Sequence, residues 1–354
     1  MKAMILAAGV GSRLDPLTRN VPKPMVPIVN QPVIEHLVRL LVKHGFHEIA
    51  ANTHYLADQI EGYFNDGASL GAQMRFNREA ELLGTAGGVK RVADSWNFFT
   101  DGETFCVTGG DDFTDLNLTE MLDFHRASGA VATIGLAKVE DPSQFGVVVL
   151  DDMDSERGGS IKSFVEKPPA GTAPSNLVNT GVYLFEPEVL DLIPAGKFYD
   201  FGKELFPLLL EQGKPFFGFK TNDYWRDVGN LAEYREAHQD FFAGQVDILP
   251  NVELHEKDIW IGENCTIHPT AVIEAPVVIG PNCTIGAHAR VTGGSVLGES
   301  CVLADGATVN QSILWARSHV EGWTHLDKCI VGFDCHVYSN AAIFGGTIVS
   351  PHKK

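Results

Sequence analysis

The stretch Ile259-Trp-Ile-Gly-Glu-Asn-Cys-Thr-Ile-His-Pro-Thr-Ala-Val-Ile-Glu-Ala-Pro-Val-Val-Ile279 carries a large aliphatic residue at every sixth position: Ile261, Ile267, Ile273 and Ile279. The beat runs on through Ile285, Val291, Leu297, Leu303 and Val309. Two positions before each stands Ile259, Cys265, Ala271, Val277, Cys283, Ala289, Ser295, Cys301 or Ala307, mostly small. An ordinary β-sandwich would show alternation at period two with irregular spacing. A sustained six-residue period instead predicts a left-handed parallel β-helix of hexapeptide repeats. After one phase slip Leu314, Val320 and Leu326 resume the pattern, and after a second Val331, Val337, Ile343 and Val349 do. Three hexads make one triangular coil, so Cys265, Cys283 and Cys301 should stack as a ladder. Cys329 and Cys335 fall in the same small-residue slot. These thiols read as apolar packing residues, because the chain has no close Cys-x-x-Cys pair and looks cytoplasmic.

Upstream of Pro250 the pattern is different. Met4–Ala8 reads as a buried strand followed by a glycine loop, and Val33, Ile34, Leu37, Leu40 and Leu41 recur at helical spacing until Gly45. Strands are expected at 48–52, 104–108, 132–137 and 147–150, with a helix at 58–64. Alternation of this kind predicts an α/β domain with a doubly wound, mostly parallel sheet, whose ligands bind at the carboxyl ends of the strands. The expected division is a domain at 1–245 followed by the β-helix at 246–354.

Bulk properties narrow the partners. Of 354 residues, 44% are hydrophobic and 20% charged, as in a globular protein. The net charge of −18 argues against nucleic acid, because a polyanion needs a basic face. No apolar run approaches the roughly 20 residues of a membrane span, and the N-terminal apolar run is too short for a signal peptide. The expected location is the cytoplasm, with no membrane partner. A phosphate ligand would need a local island of cations, helix N-termini or metal.

The loop after the first strand supplies such an island: Leu6-Ala-Ala-Gly-Val-Gly-Ser-Arg-Leu-Asp-Pro-Leu-Thr-Arg-Asn-Val-Pro-Lys-Pro-Met-Val-Pro-Ile28. Gly9 and Gly11 expose backbone N–H groups as a phosphate cradle, and Arg13 and Lys23 add positive charge. Pro22 and Pro24 hold Lys23 stiffly. The dinucleotide fingerprint fails because position 14 is Leu, and the P-loop's Gly-Lys-Ser/Thr is missing.

The whole string resembles the Gly-x-Gly-x-Arg-Leu-x-Pro-Leu-Thr…Pro-Lys-Pro motif of the sugar-phosphate nucleotidylyltransferase family, with Ser12 where Thr is usual. Leu83-Gly-Thr-Ala-Gly87, Gly110-Asp111, Phe164-Val-Glu-Lys-Pro168, Asn179-Thr-Gly181 and Trp225-Arg-Asp-Val-Gly229 match further family segments in order. The likeness spans nearly the whole chain and is closest to mannose-1-phosphate guanylyltransferases, including the closing Val349-Ser-Pro-His-Lys353.

The resemblance implies an enzyme joining a nucleoside triphosphate to a sugar 1-phosphate with Mg2+. A sugar-phosphate oxygen, already anionic, attacks the α-phosphorus and pyrophosphate leaves in line. Positioning and charge neutralisation should therefore carry the catalysis. By the same resemblance Asp111 and Asp227 are the metal ligands. Ala8, Gly9, Gly11, Ser12, Arg13, Gly84, Thr85 and Ala86 line the nucleotide, the last three as a loop approaching base and ribose. Lys23 serves the α-phosphate and the sugar phosphate. Gly146, Glu166, Lys167 and Asn179 hold the sugar phosphate. Asp112 and Asp115 are rivals for the metal role, Asp112 standing where the family usually has an apolar residue. His47, His54 and His125 read as structural.

GTP with mannose 1-phosphate is the expected pair, with UTP or ATP and glucose 1-phosphate as the alternative. A catalytically inactive subunit sensing nucleotide-sugar is a reading of another class, opposed by the joint presence of Arg13, Lys23, Asp111 and Asp227. A β-helix that acylates an amino sugar is opposed by repeats that stop near Val349 with no helical extension. The flat lateral faces of hexapeptide domains predict a homo-oligomer.

Overall fold

The computed structural model describes residues 1–349; the Ser-Pro-His-Lys segment after Val349 lies outside them. The chain divides into two compact units. One comprises Met1–Val10, Pro22–Pro24 and Ile34–Asp227, the other Gly11–Val21, Met25–Val33 and Val228–Lys354.

In chain order the elements before the repeats are β1 (Lys2–Ala7), β2 (Pro27–Ile28), β3 (Gln31–Pro32), α1 (Val33–Lys43), β4 (Glu48–Thr53), α2 (Ala57–Phe64), β5 (Gln73–Arg78), α3 (Gly84–Trp96), β6 (Phe105–Gly109) and β7 (Asp112–Thr114). They continue with α4 (Leu118–Ser128), β8 (Ala132–Lys138), β9 (Gly146–Leu150), β10 (Gly158–Glu166), β11 (Leu177–Phe185), α5 (Phe206–Glu211), β12 (Phe216–Lys220), β13 (Trp225–Asp227) and α6 (Leu231–Phe242).

The first unit is built on a nine-stranded sheet in the order β5-β4-β1-β6-β11-β8-β12-β10-β9. The α/β architecture expected from the alternation is present, and its parallel part is the run β5-β4-β1-β6. Helices α1, α2 and α3 make the crossovers there, and strands covered on both faces read as continuous apolar runs such as Ala3-Met-Ile5, fully buried. Beyond β6 the sheet is mixed: β11 runs antiparallel to β6 and β8, and β10 to β12 and β9, while β12 is parallel to β8. The physical reason is connection length. Only the short segment 151–157 joins β9 to β10, enough for an antiparallel return but not for a parallel crossover. The core joins Met4, Val107, Ile134 and Leu136 to a ring cluster of Phe99, Phe105, Phe185, Phe201, Phe206 and Phe216.

In the second unit the repeats stack as three parallel ladders around an aliphatic core of Ile279, Ile285, Val291, Leu297, Leu303, Val309, Leu314, Val320 and Leu326. Thr266 pairs with Thr284 and Thr284 with Val302, a coil of three hexads. Further along, Val302 pairs with His319 and His319 with His336, one residue fewer per coil. The change follows from a corner: Gly293 and Gly294 both take positive φ there, while one coil on Gln311 alone does. The cysteine ladder forms as expected. Cys265, Cys283 and Cys301 each donate to a carbonyl of the next coil, Gly280, Gly298 and Trp315, at 3.1–3.2 Å. All six cysteines are free thiols. One outer ladder, comprising Val278, Val296, Ile313 and Ile330, is apolar and buried. Helix α6 packs in the same unit, Phe241 and Phe242 lying against Trp260. No helix among the described residues is long and apolar enough to cross a membrane.

Candidate active site

The centre of the first unit is made by two short strands. β6 ends at Gly109, the chain turns through Gly110 and Asp111, and β7 then pairs antiparallel with β13, setting Asp112 opposite Asp227. A Cβ on Gly110 would lie 2.9 Å from the Leu6 carbonyl and 3.3 Å from Pro24, so only glycine lets this turn approach the end of β1. Asp111 and Asp227 converge on one cation. The Lys23 ammonium bonds Asp111 Oδ2 and lies 3.2 Å from Asp227 Oδ1.

Lys23 is itself buried, at 8% exposure. Burial alone would push its ammonium toward the neutral form, but the two carboxylates outweigh it and hold its pKa above the ordinary value. Asp111 and Asp227 keep 35% and 22% of their side-chain surface, so the carboxylates can receive a ligand from solvent.

The two rivals differ from Asp111 in their surroundings. Asp115 is engaged by the Tyr224 backbone, whose N–H donates to Asp115 Oδ1 at 2.8 Å. Asp112 is buried, and desolvation first, then Asp111 and Asp227, hold its carboxyl well above the usual carboxylate range. Its Oδ2 fills a slot between two glycines, since a Cβ on Gly109 or on Gly181 would come within 2.6 Å. The Trp225 indole N–H reaches both Asp112 Oδ1 at 3.2 Å and the Thr180 carbonyl at 2.8 Å, tying the carboxylate ribbon to β11.

The expected sugar-phosphate residues gather on β9, β10 and β11. Gly146 pairs with Glu166, and a Cβ on Gly146 would sit 2.4 Å from the Phe164 ring and 3.0 Å from Glu166 Oε2. Burial lifts the Glu166 carboxyl above its ordinary value, Lys167 relieves it and Asp200 adds repulsion. Lys167 is exposed, takes φ +47, and holds its ammonium 3.9 Å from Glu166. Asn179 lies at a register shift in β11; its amide donates to Tyr183 Oη at 2.9 Å and its Oδ1 accepts from Gly181 N.

On the nucleotide side, Ala8 and Gly9 follow β1 in the first unit, and a Cβ on Gly9 would meet nothing within 4 Å. Gly11, Ser12 and Arg13 fall in the second unit, with Gly11 at φ +68 and Arg13 exposed. Gly84, Thr85 and Ala86, expected as a loop, are instead the first turn of α3. Ala86 is fully buried and offers no side-chain surface. Gly84 is required by packing, since its Cβ would fall 2.7 Å from the Tyr199 carbonyl. Thr85 Oγ1 donates to Asp200 Oδ2 and accepts from Phe201 N.

Two buried residues that the sequence reading did not single out set this corner. Asn52 Oδ1 accepts from Ala7 N at 2.9 Å and its amide donates to Glu79 Oε1 at 2.7 Å, while Glu79 Oε2 accepts from Leu83 N. Together they fix the end of β1 against the start of α3. Their only sequence signal was a polar residue at each strand's carboxyl end. His47 and His54 bond backbone carbonyls, and His125 bonds Thr133 and Glu186.

Two carboxylates converging on one cation are a hard oxygen donor set, which fits Mg2+ completed by water and phosphate oxygens. Among the described residues no group of three or more His, Cys, Asp or Glu side chains is arranged as a protein-only metal cage.

Known proteins bear on this geometry. The family model described as "Nucleotidyl transferase" matches residues 2–243, and one described as "GMPPB C-terminal domain" matches 244–354. A UTP–glucose-1-phosphate uridylyltransferase from Synechocystis is 39% identical over 358 residues, covering 97% of this chain and 90% of that protein. A mannose-1-phosphate guanylyltransferase from Mycobacterium tuberculosis is 32% identical over 272 residues, 77% of this chain and 72% of that one. A Bacillus anthracis structure assigned as a glucose-1-phosphate thymidylyltransferase, in complex with sucrose, superposes with TM-score 0.60. It covers 70% of this chain and 96% of its own at 24% identity, a likeness of fold.

Proposed function

Because the chain belongs to the nucleotidyl transferase family, we propose that it transfers a nucleotidyl group from a nucleoside triphosphate to a sugar 1-phosphate and releases pyrophosphate. The observation that carries this reading is the Lys23 ammonium held between Asp111 and Asp227 at the carboxyl end of the sheet. A reaction between two polyanions needs a positioned cation and paired carboxylates for a metal, and needs no general base.

Asp111 and Asp227 would hold Mg2+, and the ion would supply charge neutralisation at the triphosphate. Enzymes of this family generally use a divalent metal. Lys23 meets the α-phosphate and the incoming sugar phosphate, and Arg13 with the backbone of Ala8, Gly9, Gly11 and Ser12 takes the remaining phosphate oxygens. The first turn of α3 offers backbone groups to base and ribose. Glu166 accepts from sugar hydroxyls beside Gly146 and Asn179, and Lys167 meets the phosphate. In the transfer, the new bond joins a sugar-phosphate oxygen to the α-phosphorus as the bond to pyrophosphate breaks. No proton need move. Residues 1–245 carry this chemistry, and residues 246–354 form the repeat domain through which the protein assembles with copies of itself.

For base and sugar, UTP with glucose 1-phosphate comes first, on the strength of the higher identity, 39%, to a relative of that name than to the guanylyltransferase relatives, 33%, that also match the whole chain. GTP with mannose 1-phosphate, the pair expected from the motifs, is the second reading. It is favoured by the C-terminal family model and by the guanylyltransferase relatives. Measuring pyrophosphate release from UTP, GTP, ATP and CTP against glucose 1-phosphate and mannose 1-phosphate, with Mg2+, separates the two. Turnover with no pair would leave the inactive-sensor reading.

A further inference from the structure

The segments on either side of Lys23, Gly11–Val21 and Met25–Val33, belong to the same compact unit as the β-helix. The second segment is a tight hairpin, with Ile28 paired to Gln31 across a two-residue turn of Val29 and Asn30. Both turn residues take positive φ, +50 and +68. Such a turn suits Asn-Gly, and a β-branched valine there is strained. A strained turn persists only where its surroundings over-determine it.

The surroundings are three buried side chains and one coil. The Trp315 indole N–H donates to Tyr234 Oη at 2.8 Å, and the Tyr234 hydroxyl donates to the Pro27 carbonyl at 2.6 Å. One turn further along α6, His238 Nε2 accepts from Val29 N at 3.2 Å. Its Nδ1 faces the Tyr234 carbonyl at 2.9 Å. A backbone N–H can only donate and a carbonyl only accept, so this imidazole is the neutral Nδ1–H tautomer. The Asn30 amide donates to the Leu297 carbonyl of the β-helix at 2.8 Å. Tyr234 and His238 are wholly buried and Trp315 is 2% exposed. Burial also pushes the Tyr234 phenol upward, which keeps its proton in place for Pro27.

We propose that Tyr234, His238 and Trp315 are positioning residues for nucleotidyl transfer: they clamp the strained 27–30 turn, which follows Lys23 by four residues in the chain, and thereby restrain the segment that carries Lys23. This role rests on the functional reading given above.

The test uses the full chain with Tyr234→Phe, Trp315→Phe, the double variant and Asn30→Gly, the last keeping the positive φ while losing the Leu297 bond. Two quantities are read below the melting temperature of every variant. The first is hydrogen exchange of residues 25–33 against residues 277–303. The second is kcat and KM with the productive substrate pair. Expected are faster exchange confined to 25–33 and a kcat lower by about tenfold or more, since misplacing a reacting group by about 1 Å can cost about 10²-fold. The double variant should be no worse than the worse single one, because both remove the same relay. Lower melting temperatures with unchanged kcat and unchanged exchange in 25–33 would overturn the proposal. If the wild type transfers no nucleotide, the functional reading fails separately. Exchange then decides the clamp alone: faster exchange supports it and unchanged exchange overturns it.

Discussion

Replacing Lys23 by methionine removes one ammonium and keeps an unbranched chain of similar length. The side chain is buried and its charge is shared between Asp111 and Asp227. Exposed ion pairs contribute about 0.2–1 kcal/mol and breaking fully buried ones costs about 3–5 kcal/mol. Here the cation is dry while its carboxylates are 35% and 22% exposed, so the stability loss should lie between these ranges, about 2 kcal/mol. Turnover should suffer far more. A preorganised cation or donor at a developing charge is worth about 3–4 kcal/mol, or roughly 10²–10³ in kcat. The same substitution frees two carboxylates from a competing cation, so Mn2+ should bind the substrate-free variant more tightly than the wild type. Pyrophosphate release at saturating substrates, urea unfolding and calorimetric Mn2+ titration read the three effects. A kcat within about threefold of wild type, with the chain folded, would refute the assignment of Lys23 to the reacting phosphates.

Asp227→Asn and Asp111→Asn should each lower kcat by at least about 10²-fold with native near-ultraviolet circular dichroism, as removal of a metal ligand or charge partner does. Gly146→Ala should raise KM for the sugar phosphate and cost about 1–3 kcal/mol in urea unfolding, because its Cβ would lie 2.4 Å from the Phe164 ring and crowd Glu166. Burial holds the His125 imidazole below its ordinary 6.5, against the opposing pull of Glu186. The folded chain therefore binds fewer protons there than the unfolded one. The resulting stability is complete above pH 6.5 and declines as pH falls toward the folded value, by at most about 1.4 kcal/mol per unit. Urea midpoints from pH 7.5 to 5 should show this slope flattened in His125→Asn.

The two architectures were legible because each has its own period. The six-residue beat from Ile261 to Val309 located the coils and placed Cys265, Cys283 and Cys301 in one ladder. The apolar runs at β1, β4 and β6 located the parallel part of the sheet. Direction was harder: nothing in the short link before β10 reads as parallel or antiparallel until connection length is weighed against pairing. At the site, Lys23, Asp111 and Asp227 were visible as motif residues, and the structure brings them within contact distance across more than two hundred positions of sequence. Asn52, Glu79, Tyr234 and Trp315 escaped notice because each acts on a backbone atom or on another side chain far along the chain. Only the folded chain shows those partners. Gly84–Ala86 was expected as a loop from the family resemblance, whereas these residues open α3, where close approach to the Tyr199 carbonyl demands Gly84 and close approach to the Lys197 carbonyl demands Gly87.

The central claim is tested most directly by following the α-phosphorus itself. Nucleoside triphosphate labelled at the α-phosphate is incubated with the protein, a sugar 1-phosphate and Mg2+, and the products are separated. The account predicts label in a nucleotide-sugar in equal amount to released pyrophosphate. It also predicts that chelation of the metal or Asp227→Asn abolishes both together. Label that stays in the triphosphate with every sugar 1-phosphate, or that appears as free nucleoside monophosphate, would contradict it.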